Sequence, residues 1–506
     1  ELVSHENLWN MNDAQKDIYK SLVRPYANIK SLLDSFCNYF AEKRVEYESN
    51  PPNKTYLVEE DTREAFANKF NLTCTSWCLL YKDYEYILKV DSENDNPNEQ
   101  DRFPNPAFVA LLRLIFNPLH FLFLNNGDNF QHFKVVYQYD KDLDVQKEQI
   151  RVICLNPGVV FHPISQMVHN VILTSGTLTP LNTFASELST SFPNLLSASH
   201  VIDPKQVLTI TISTSPSGET LSSTYNSIKA MGDKIYLNLA SIFKIILPVI
   251  PEGVLLFLPS YTMMKGMLSS WKKSKDYDII NSIKKIFTEK QGSEDKKTLK
   301  QYKDHIKKCQ FKGIKSPDRG GNGEGGGLYI GVCRGKLSEG MDFHDSQARS
   351  VIIFGIPYPN FFEPDIFLKR EYNDKRKDEN NIGQSQSTTD NCYMSGKEWY
   401  DIQAFRALFQ AVGRCIRHKN DYGSIFLIDE RFNNNGFLEE MKFPKWVLNS
   451  WDGVGVHNYD DLKIKLSRFY GEMSLAFPPK NDDDDLSSEA EDVSETIPFN
   501  LTCATC

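Results

Sequence analysis

The hydrophobic pattern divides the chain into three stretches. In the first, "DAQKDIYKSLVRPYANIKSLLDSFCNYFAEKRVEY" repeats apolar positions at helical spacing with few β-branched residues. This predicts a long amphipathic helix, and residues 1–126 read as mostly helical. The most apolar run, "FVALLRLIFNPLHFLFL" (108–124), is interrupted by Arg113, Asn117, Pro118 and His120. It predicts a buried helix pair rather than a membrane span. The second stretch holds short β-rich runs: "FKVVYQYD", "EQIRVICLNP" and "HNVILTSGT". From about residue 191 apolar strands alternate with helices. The strands are "VLTITIST", "GVLLFLPSY", "GLYIGVCRG", "SVIIFGIPYP" and "GSIFLIDERF". That alternation predicts an α/β fold, a mainly parallel sheet covered on both faces.

Composition refines this picture at a few points. With 506 residues, 41% hydrophobic and 24% charged, the chain is ordinary globular protein long enough for several domains. Its formal charge is −9, but "NDDDDLSSEAEDVSE" (481–495) holds eight acidic groups and no basic one. Setting those eight aside brings the charge from −9 to −1. The rest is nearly neutral, which excludes a uniformly basic nucleic-acid coat without excluding nucleic-acid binding. "SPDRGGNGEGGG" (316–327) and "KDENNIGQSQSTTDN" (377–391) read as surface insertions, and 478–506 as a disordered acidic tail. The ten cysteines are scattered, several within apolar runs, as reduced intracellular thiols would be. "CTSWC" and "CATC" lack a second pair at zinc-site spacing, so no metal ligand is assigned.

The candidate chemistry lies in the third stretch. Open parallel sheets bind ligands beyond the carboxyl ends of their strands. Polar residues gather at four such ends: Ser260 and Tyr261, Arg334 with Gly335 and Lys336, Tyr358 and Asn360, Asp429 and Arg431. In "CRGKLSEGMDF" two glycines five apart can present amides to an anion, and Glu339 and Asp342 can orient water, a metal or facing arginines. "EWYDIQAFRALFQAVGRCIRH" (398–418) predicts one amphipathic helix. Its apolar stripe is Ile402, Phe405, Leu408, Val412 and Ile416, and its polar stripe is Gln403, Arg406, Gln410, Arg414 and Arg417. Arginine forks match phosphate oxygens and stabilise the charge that builds up in phosphoryl transfer. The chain has no G-x-x-x-x-G-K-[ST] loop and no D-E-x-H box, so it carries groups that finish a nucleotide site and lacks those that start one.

At these residues the sequence resembles the iron–sulfur DNA helicases of superfamily 2, of the xeroderma pigmentosum group D type. "VILTSGTLTP" resembles their motif III, "GVLLFLPSY" motif IV, "VCRGKLSEGMDF" motif V and "QAVGRCIRHKNDYG" motif VI, in order between about residues 150 and 450. "CLNPGVVF", "WYDIQAFRAL", "GRCIRH" and "DERFNN" look most similar to the Fanconi anaemia group J branch, with the telomere-regulating branch nearly as close.

The resemblance implies RecA-like motor domains of the P-loop NTPase fold. Residues 1–126 would be a helical arch insertion, 127–190 the end of the first motor domain and 191–477 the second. Gln410, Arg414 and Arg417 would reach ATP phosphates, and Glu339, Gly340 and Asp342 would line the same site. Ser175, Gly176 and Thr177 would couple it to DNA, while Ser260, Tyr261, Arg334 and Lys336 would hold a single strand. The expected activity is 5′ to 3′ unwinding of single-stranded and forked DNA, using ATP and Mg²⁺, in the nucleus, with DNA-repair proteins as partners and no membrane. A [4Fe–4S] cluster, a phosphate loop and an acidic box are expected upstream of Glu1, leaving this chain inactive alone. The alternatives are a telomere-regulating or cohesion-type helicase, or a non-catalytic scaffold binding DNA or repair proteins.

Overall fold

The computed structural model describes residues 13–49, 56–59, 61–93, 104–140, 147–175, 180–196, 202–290, 294–311, 325–335, 343–383, 393–434, 443–451, 456 and 458–478. The chain forms two compact units. The first comprises Glu1–Thr174, Pro180–Leu195 and Pro359–Tyr400; the second comprises Ser175–Thr179, Leu196–Tyr358 and Asp401–Cys506.

The first unit opens with α1, Asp13–Ser49, whose buried stripe is Leu22, Ile29, Leu32 and Tyr39. Strand β1 (Tyr56–Val58) and helices α2 (Thr62–Lys69), α3 (Cys74–Ser92) and α4 (Pro106–Phe123) follow. Thr73 and Ser76 exchange side-chain and backbone hydrogen bonds in a capping box that starts α3. Trp77 on α3 stacks against Phe116 and Phe123 of α4, with ring centroids 5.4 and 4.7 Å apart. Strands β2 (Phe133–Asp140) and β3 (Lys147–Cys154) make an antiparallel sheet with β1, ordered β1-β2-β3. Short helices α5 (Gly158–Met167) and α6 (Asn182–Leu188) come next, and the helix Pro364–Gly383 rejoins this unit later in the chain.

Three expectations are corrected here. The apolar run 108–124 forms one helix, not a pair. Pro118 removes the hydrogen bond to the carbonyl of Leu114, a residue 74% exposed, so water can take the donor's place. The helix is apolar enough to cross a membrane by composition, yet Val109, Leu112, Phe116, Leu119 and Leu122 lie in the unit's core. No strand forms in the described part of "HNVILTSGT": residues 171–175 have no ladder partner, and Ile172 is 86% exposed. A β-branched run becomes a strand only where a neighbouring strand takes its backbone groups. Residues 377–383 are not an insertion but the last turns of the helix Pro364–Gly383.

The second unit contains β4 (Val207–Ile212), α7 (Tyr225–Met231), α8 (Lys234–Ile246), β5 (Gly253–Leu258), α9 (Tyr261–Ser274), α10 (Asp276–Ile283) and β6 (Lys285–Thr288). After these come α11 (Glu294–Phe311), β7 (Gly327–Val332), β8 (Ser350–Phe354), α12 (Gly396–Val412, in this unit from Asp401 onward), β9 (Gly423–Ile428), α13 (Lys445–Asn449) and α14 (Tyr459–Ala476). Its six strands are all parallel, in the order β4-β9-β8-β5-β7-β6. Alternate residues feed two cores. Val254, Leu256 and Leu258 of β5 pack with α8, α9 and α14, while Leu255 and Phe257 pack with α11 and α12. The predicted parallel sheet is therefore present, with one strand more than the pattern suggested. β6 has only four residues, set among lysines, and reads too weakly to be recognised.

The amino edge of this sheet holds buried charge. Arg349 donates to Glu252 Oε2 (2.9 Å) and Asp421 Oδ1 (3.0 Å), and its guanidinium lies 4.1 Å from the Tyr422 ring centroid. Its side chain is 7% exposed and that of Asp421 1%. Nearby, Lys284 is fully buried and donates to the carbonyls of Glu252 and Gly325, both at 2.8 Å. Burial pulls its pKa from 10.5 down to about 7. Gly326, at φ +120°, leaves no space for a side chain, because a Cβ would lie 2.0 Å from the Glu252 carbonyl oxygen. So 325–327, read from sequence as the end of a surface insertion, are instead fixed into the start of β7.

Two stability outcomes follow from these buried charges. Arg349→Met strands the Asp421 carboxylate, and should lower the unfolding free energy by about 3–5 kcal/mol. Urea denaturation checks it, and a loss below about 1 kcal/mol contradicts the role. For Lys284 the folded pKa lies below the unfolded one, so the unfolded state binds more protons between about 7 and 10.5. Stability should therefore rise with pH across that window. Lys284→Met should remove this part of the slope, which urea titrations at pH 7 and pH 9 would reveal as converging or parallel curves.

Candidate functional site

The carboxyl edge of the six-stranded sheet gathers several candidates. Ser260 follows β5 and caps α9, its Oγ accepting from the Met263 amide at 3.2 Å. Tyr261 donates its hydroxyl to Glu289 Oε1 (2.9 Å), and the other oxygen of Glu289 accepts from the Val332 amide (2.8 Å). Glu289 is buried and joins the ends of β5, β6 and β7. A Cβ at Gly335 would come 2.6 Å from Glu289 Oε1 and 2.9 Å from the Val332 carbonyl oxygen, so a larger residue would displace the Glu289 carboxylate. Arg334, in left-handed backbone at φ +65°, is exposed and donates to the Gln403 carbonyl at 2.6 Å. The structure thus brings Ser260, Tyr261 and Arg334 to one edge.

The neighbouring strand ends are more rigid than the sequence suggested. Asp429 is fully buried and binds Arg431 through both oxygens, Nε at 2.7 Å and Nη2 at 2.9 Å. Ser223 donates to the same carboxylate at 2.8 Å. Tyr358 donates to Asp401 Oδ1 at 3.1 Å.

The arginine stripe needs a correction. Helix α12 ends at Val412, so only Gln403, Arg406 and Gln410 share its polar face. From Gly413 onward tight turns take over, with the Arg414 amide bonded to the Ala411 carbonyl (3.1 Å) and the Cys415 amide to the Val412 carbonyl (3.1 Å). The chain has to reverse here to enter β9 at Gly423, and Gly413 offers the least resistance. Because α12 runs antiparallel to the strands, Arg414 and Arg417 emerge at the amino edge. Cys415 touches the Ser424 carbonyl there, at 3.6 Å. The nine steps from Gln403 to Val412 span roughly 14 Å of helix rise. The candidates therefore form two groups at opposite edges of one sheet.

At the amino edge Gln410 and Arg414 are half-buried and Arg417 is exposed. The Arg417 amide donates to Asp421 Oδ2 at 3.1 Å. His418 Nε2 lies 3.0 Å from Asp345 Oδ1, which ties the end of the 333–343 segment to the arginine turn. Glu339, Gly340, Asp342 and Lys336 lie outside the described residues, as do Gly176 and Thr177. Ser175 is exposed and belongs to no helix or strand.

Asp345, His418 and Asp421 are close enough to suggest a metal. Their donors are already committed: Asp421 accepts from Arg349 Nη1, the Tyr422 amide and the Arg417 amide, and Asp345 pairs with His418. A hard cation such as Mg²⁺ needs several free oxygens, so this trio does not fit one. Among the described residues no set of cysteines gathers to hold an iron–sulfur cluster either. Sequence reasoning missed Glu289, Arg349 and Asp421. Glu289 and Asp421 each stand next to a short strand, at its end and before its start, but nothing in a local window marks them as partners.

Comparison with known proteins agrees with this architecture. Residues 243–450 match the helicase C-terminal domain. Over 299 residues the chain is 40% identical to the Fanconi anemia group J protein homolog of Gallus gallus, covering 58% of this chain and 22% of that protein. Over 306 residues it is 38% identical to the regulator of telomere elongation helicase 1 of Rattus norvegicus, covering 60% of this chain and 22% of that one. The chain thus spans under a quarter of either relative's length. A solved structure titled XPD_Helicase aligns with 83% of this chain and 63% of its own, at 19% identity and a TM-score of 0.43. On the domain match and the two sequence relationships, residues 243–450 are similar to the helicase C-terminal domain, and the chain is similar to DNA helicases of the Fanconi anemia group J and telomere-elongation-regulator kinds.

Proposed function

We propose that this chain supplies the second half of an ATP-dependent DNA helicase motor. Gln410, Arg414 and Arg417 act on the phosphates of ATP, with Glu339, Gly340 and Asp342 lining the same site. Ser260, Tyr261, Arg334 and Lys336 hold a single DNA strand, and Ser175, Gly176 and Thr177 couple the two. The observation that carries this reading is the separation of the two groups by α12. The helix meets Arg334 midway along its length, at Gln403, and its carboxyl end leads into Arg414 and Arg417. A motor needs such a division, because nucleotide chemistry and DNA grip must be distinct sites joined by a stiff element. Side-chain forks at the amino edge offer planar, permanently charged donors, suited to charge that develops on a transferred phosphoryl group. Groups at the carboxyl edge offer phosphate contacts without base reading. The resemblance to these helicases adds 5′ to 3′ polarity, a nuclear location and a role in DNA repair or telomere maintenance to the proposal. Residues 1–126 as arch, 127–190 as the end of the first motor domain and 191–477 as the second belong to the same reading.

Two measurements test the two edges separately. In the ATP-hydrolysing assembly, Arg414→Lys and Arg417→Lys should each slow DNA-stimulated phosphate release by on the order of a hundredfold or more. Thermal unfolding should change little, and a variant that melts early but hydrolyses normally would assign these arginines to structure. The chain alone, lacking a phosphate loop in its sequence, should release no phosphate.

For the DNA edge, Arg334→Ala and Lys336→Ala should weaken binding to oligothymidylate. Each should also flatten the slope of log affinity against log salt by about 0.7. An unchanged slope would remove these side chains from the DNA path, and leave Arg334 as a brace for α12.

A further inference from the structure

Helix α11 has two unlike faces. Tyr302, Ile306 and Cys309 are buried against the sheet. Around the other side, Lys296, Lys300, Lys303 and Lys307 follow at steps of four, three and four, and so line one exposed or half-exposed stripe. Lys297 and Lys308 flank it. No ion pair of Lys296, Lys300 or Lys307 forms among the described residues. The helix carries six lysines against three carboxylates, Glu294, Asp295 and Asp304, so this stripe is a local excess of positive charge.

A counterpart exists in the sequence. The eight acidic residues within 481–495 carry almost the whole of the chain's −9 charge. The path to them starts close by. Phe477, just beyond α14, stacks on Tyr422 with centroids 6.2 Å apart. Tyr422 lies under Arg349, Arg349 binds Glu252, and Glu252 accepts from Gln310 at the end of α11. Continuous contact thus joins the base of the tail to the end of the lysine helix. Asp482 is four residues beyond Pro478, a reach of about 13 Å when extended, and Glu495 is seventeen beyond, a reach of roughly 56 Å. The α11 stripe, eleven residue steps from Lys296 to Lys307, is about 16 Å long.

We infer that the acidic segment 481–495 docks on the lysine stripe of α11 and competes there with other polyanions, single-stranded nucleic acid above all. The tether favours the tail over a free ligand, because a short linker keeps the acidic run at millimolar effective concentration. Each contact is weak and screened by salt, and the number of charges gives the sum its strength. The tail becomes an internal mimic of a phosphate backbone, displaced when enough real phosphates arrive. This inference stands on charge and reach alone, independent of the helicase reading.

The test uses the whole chain. A water-soluble carbodiimide, which joins carboxylates to amines in contact, should link 482–495 mainly to Lys296, Lys300, Lys303 and Lys307. High salt and the triple variant Lys296→Glu, Lys300→Glu, Lys307→Glu should each abolish those links. A chain ending at Pro478 should bind oligothymidylate about tenfold more tightly than the full chain, and replacing Asp482–Asp485 with Asn should reproduce part of that gain. Cross-links spread evenly over all lysines would overturn the docking. So would a triple variant that loses oligonucleotide binding equally with and without the tail, which would give the stripe to nucleic acid only.

Discussion

Arg349 carries a full positive charge into a place with almost no water, and the amino edge of the six-stranded sheet is arranged around it. Glu252, just before β5, and Asp421, just before β9, neutralise it from two sides, while Tyr422 covers its plane. Its own carbonyl accepts from the Ser424 amide and the Tyr470 hydroxyl, which draws α14 into the same cluster. Packing is so close that a Cβ at Gly423 would lie 2.6 Å from the Cys415 sulfur and 2.8 Å from the Arg349 carbonyl oxygen. A buried charge of this kind adds little stability over a well-packed apolar set. Losing one partner is costly, so the arrangement holds three strand starts in register with each other.

The same network reaches the proposed chemistry. Asp421 gives one oxygen to Arg349 and the other to the Arg417 amide, so the backbone that carries the arginine proposed to reach phosphate is anchored by a structural ion pair. His418 and Asp345 extend this anchoring to the segment before β8. Of the side chains themselves, that of Arg417 is exposed and that of Arg414 half-buried, with its Nε buried. Fixed backbone with projecting forks is the preorganisation that charge stabilisation needs. Midway along α12, the Gln403 carbonyl receives Arg334. A displacement at either edge is therefore transmitted through a helix whose inner face, Ala404, Phe405, Leu408 and Val412, is fully packed. Soft connections would absorb such a displacement, whereas a close-packed helix carries it.

Much of the fold could be read from periodicity. Five of the six strands of the large sheet, the long first helix and the β2 and β3 runs stand where alternating or helical spacing put them. Those signals are local: a residue's face is decided by neighbours two, three or four positions away. The misses share the opposite property. "VILTSG" has every local mark of a strand and forms none among the described residues, since a ladder needs a second chain segment. The arginine helix was read six residues too long because its apolar spacing persists past Gly413, although the chain must turn there to enter β9. β6 was passed over because four residues among lysines give almost no pattern, and the sheet edge it completes is visible only in three dimensions.

The amino-acid sequence by itself determined the alternation of strand and helix, the two faces of each strand, and the identity of the chemically able residues: the paired arginines, the capping serine, the glycines beside them. These follow from side-chain type and spacing, which need no knowledge of the rest of the chain. Tertiary structure alone decided where those residues act. It put Arg414 and Arg417 at the edge opposite Ser260, Tyr261 and Arg334. It also buried Glu289 among three strand ends and returned Pro359–Tyr400 to the first unit. Above all it joined Arg349 to Glu252 and Asp421 across 97 and 72 residues of chain. Contacts at such separations are selected by the packing of whole elements, because only burial makes a lone charge demand a partner.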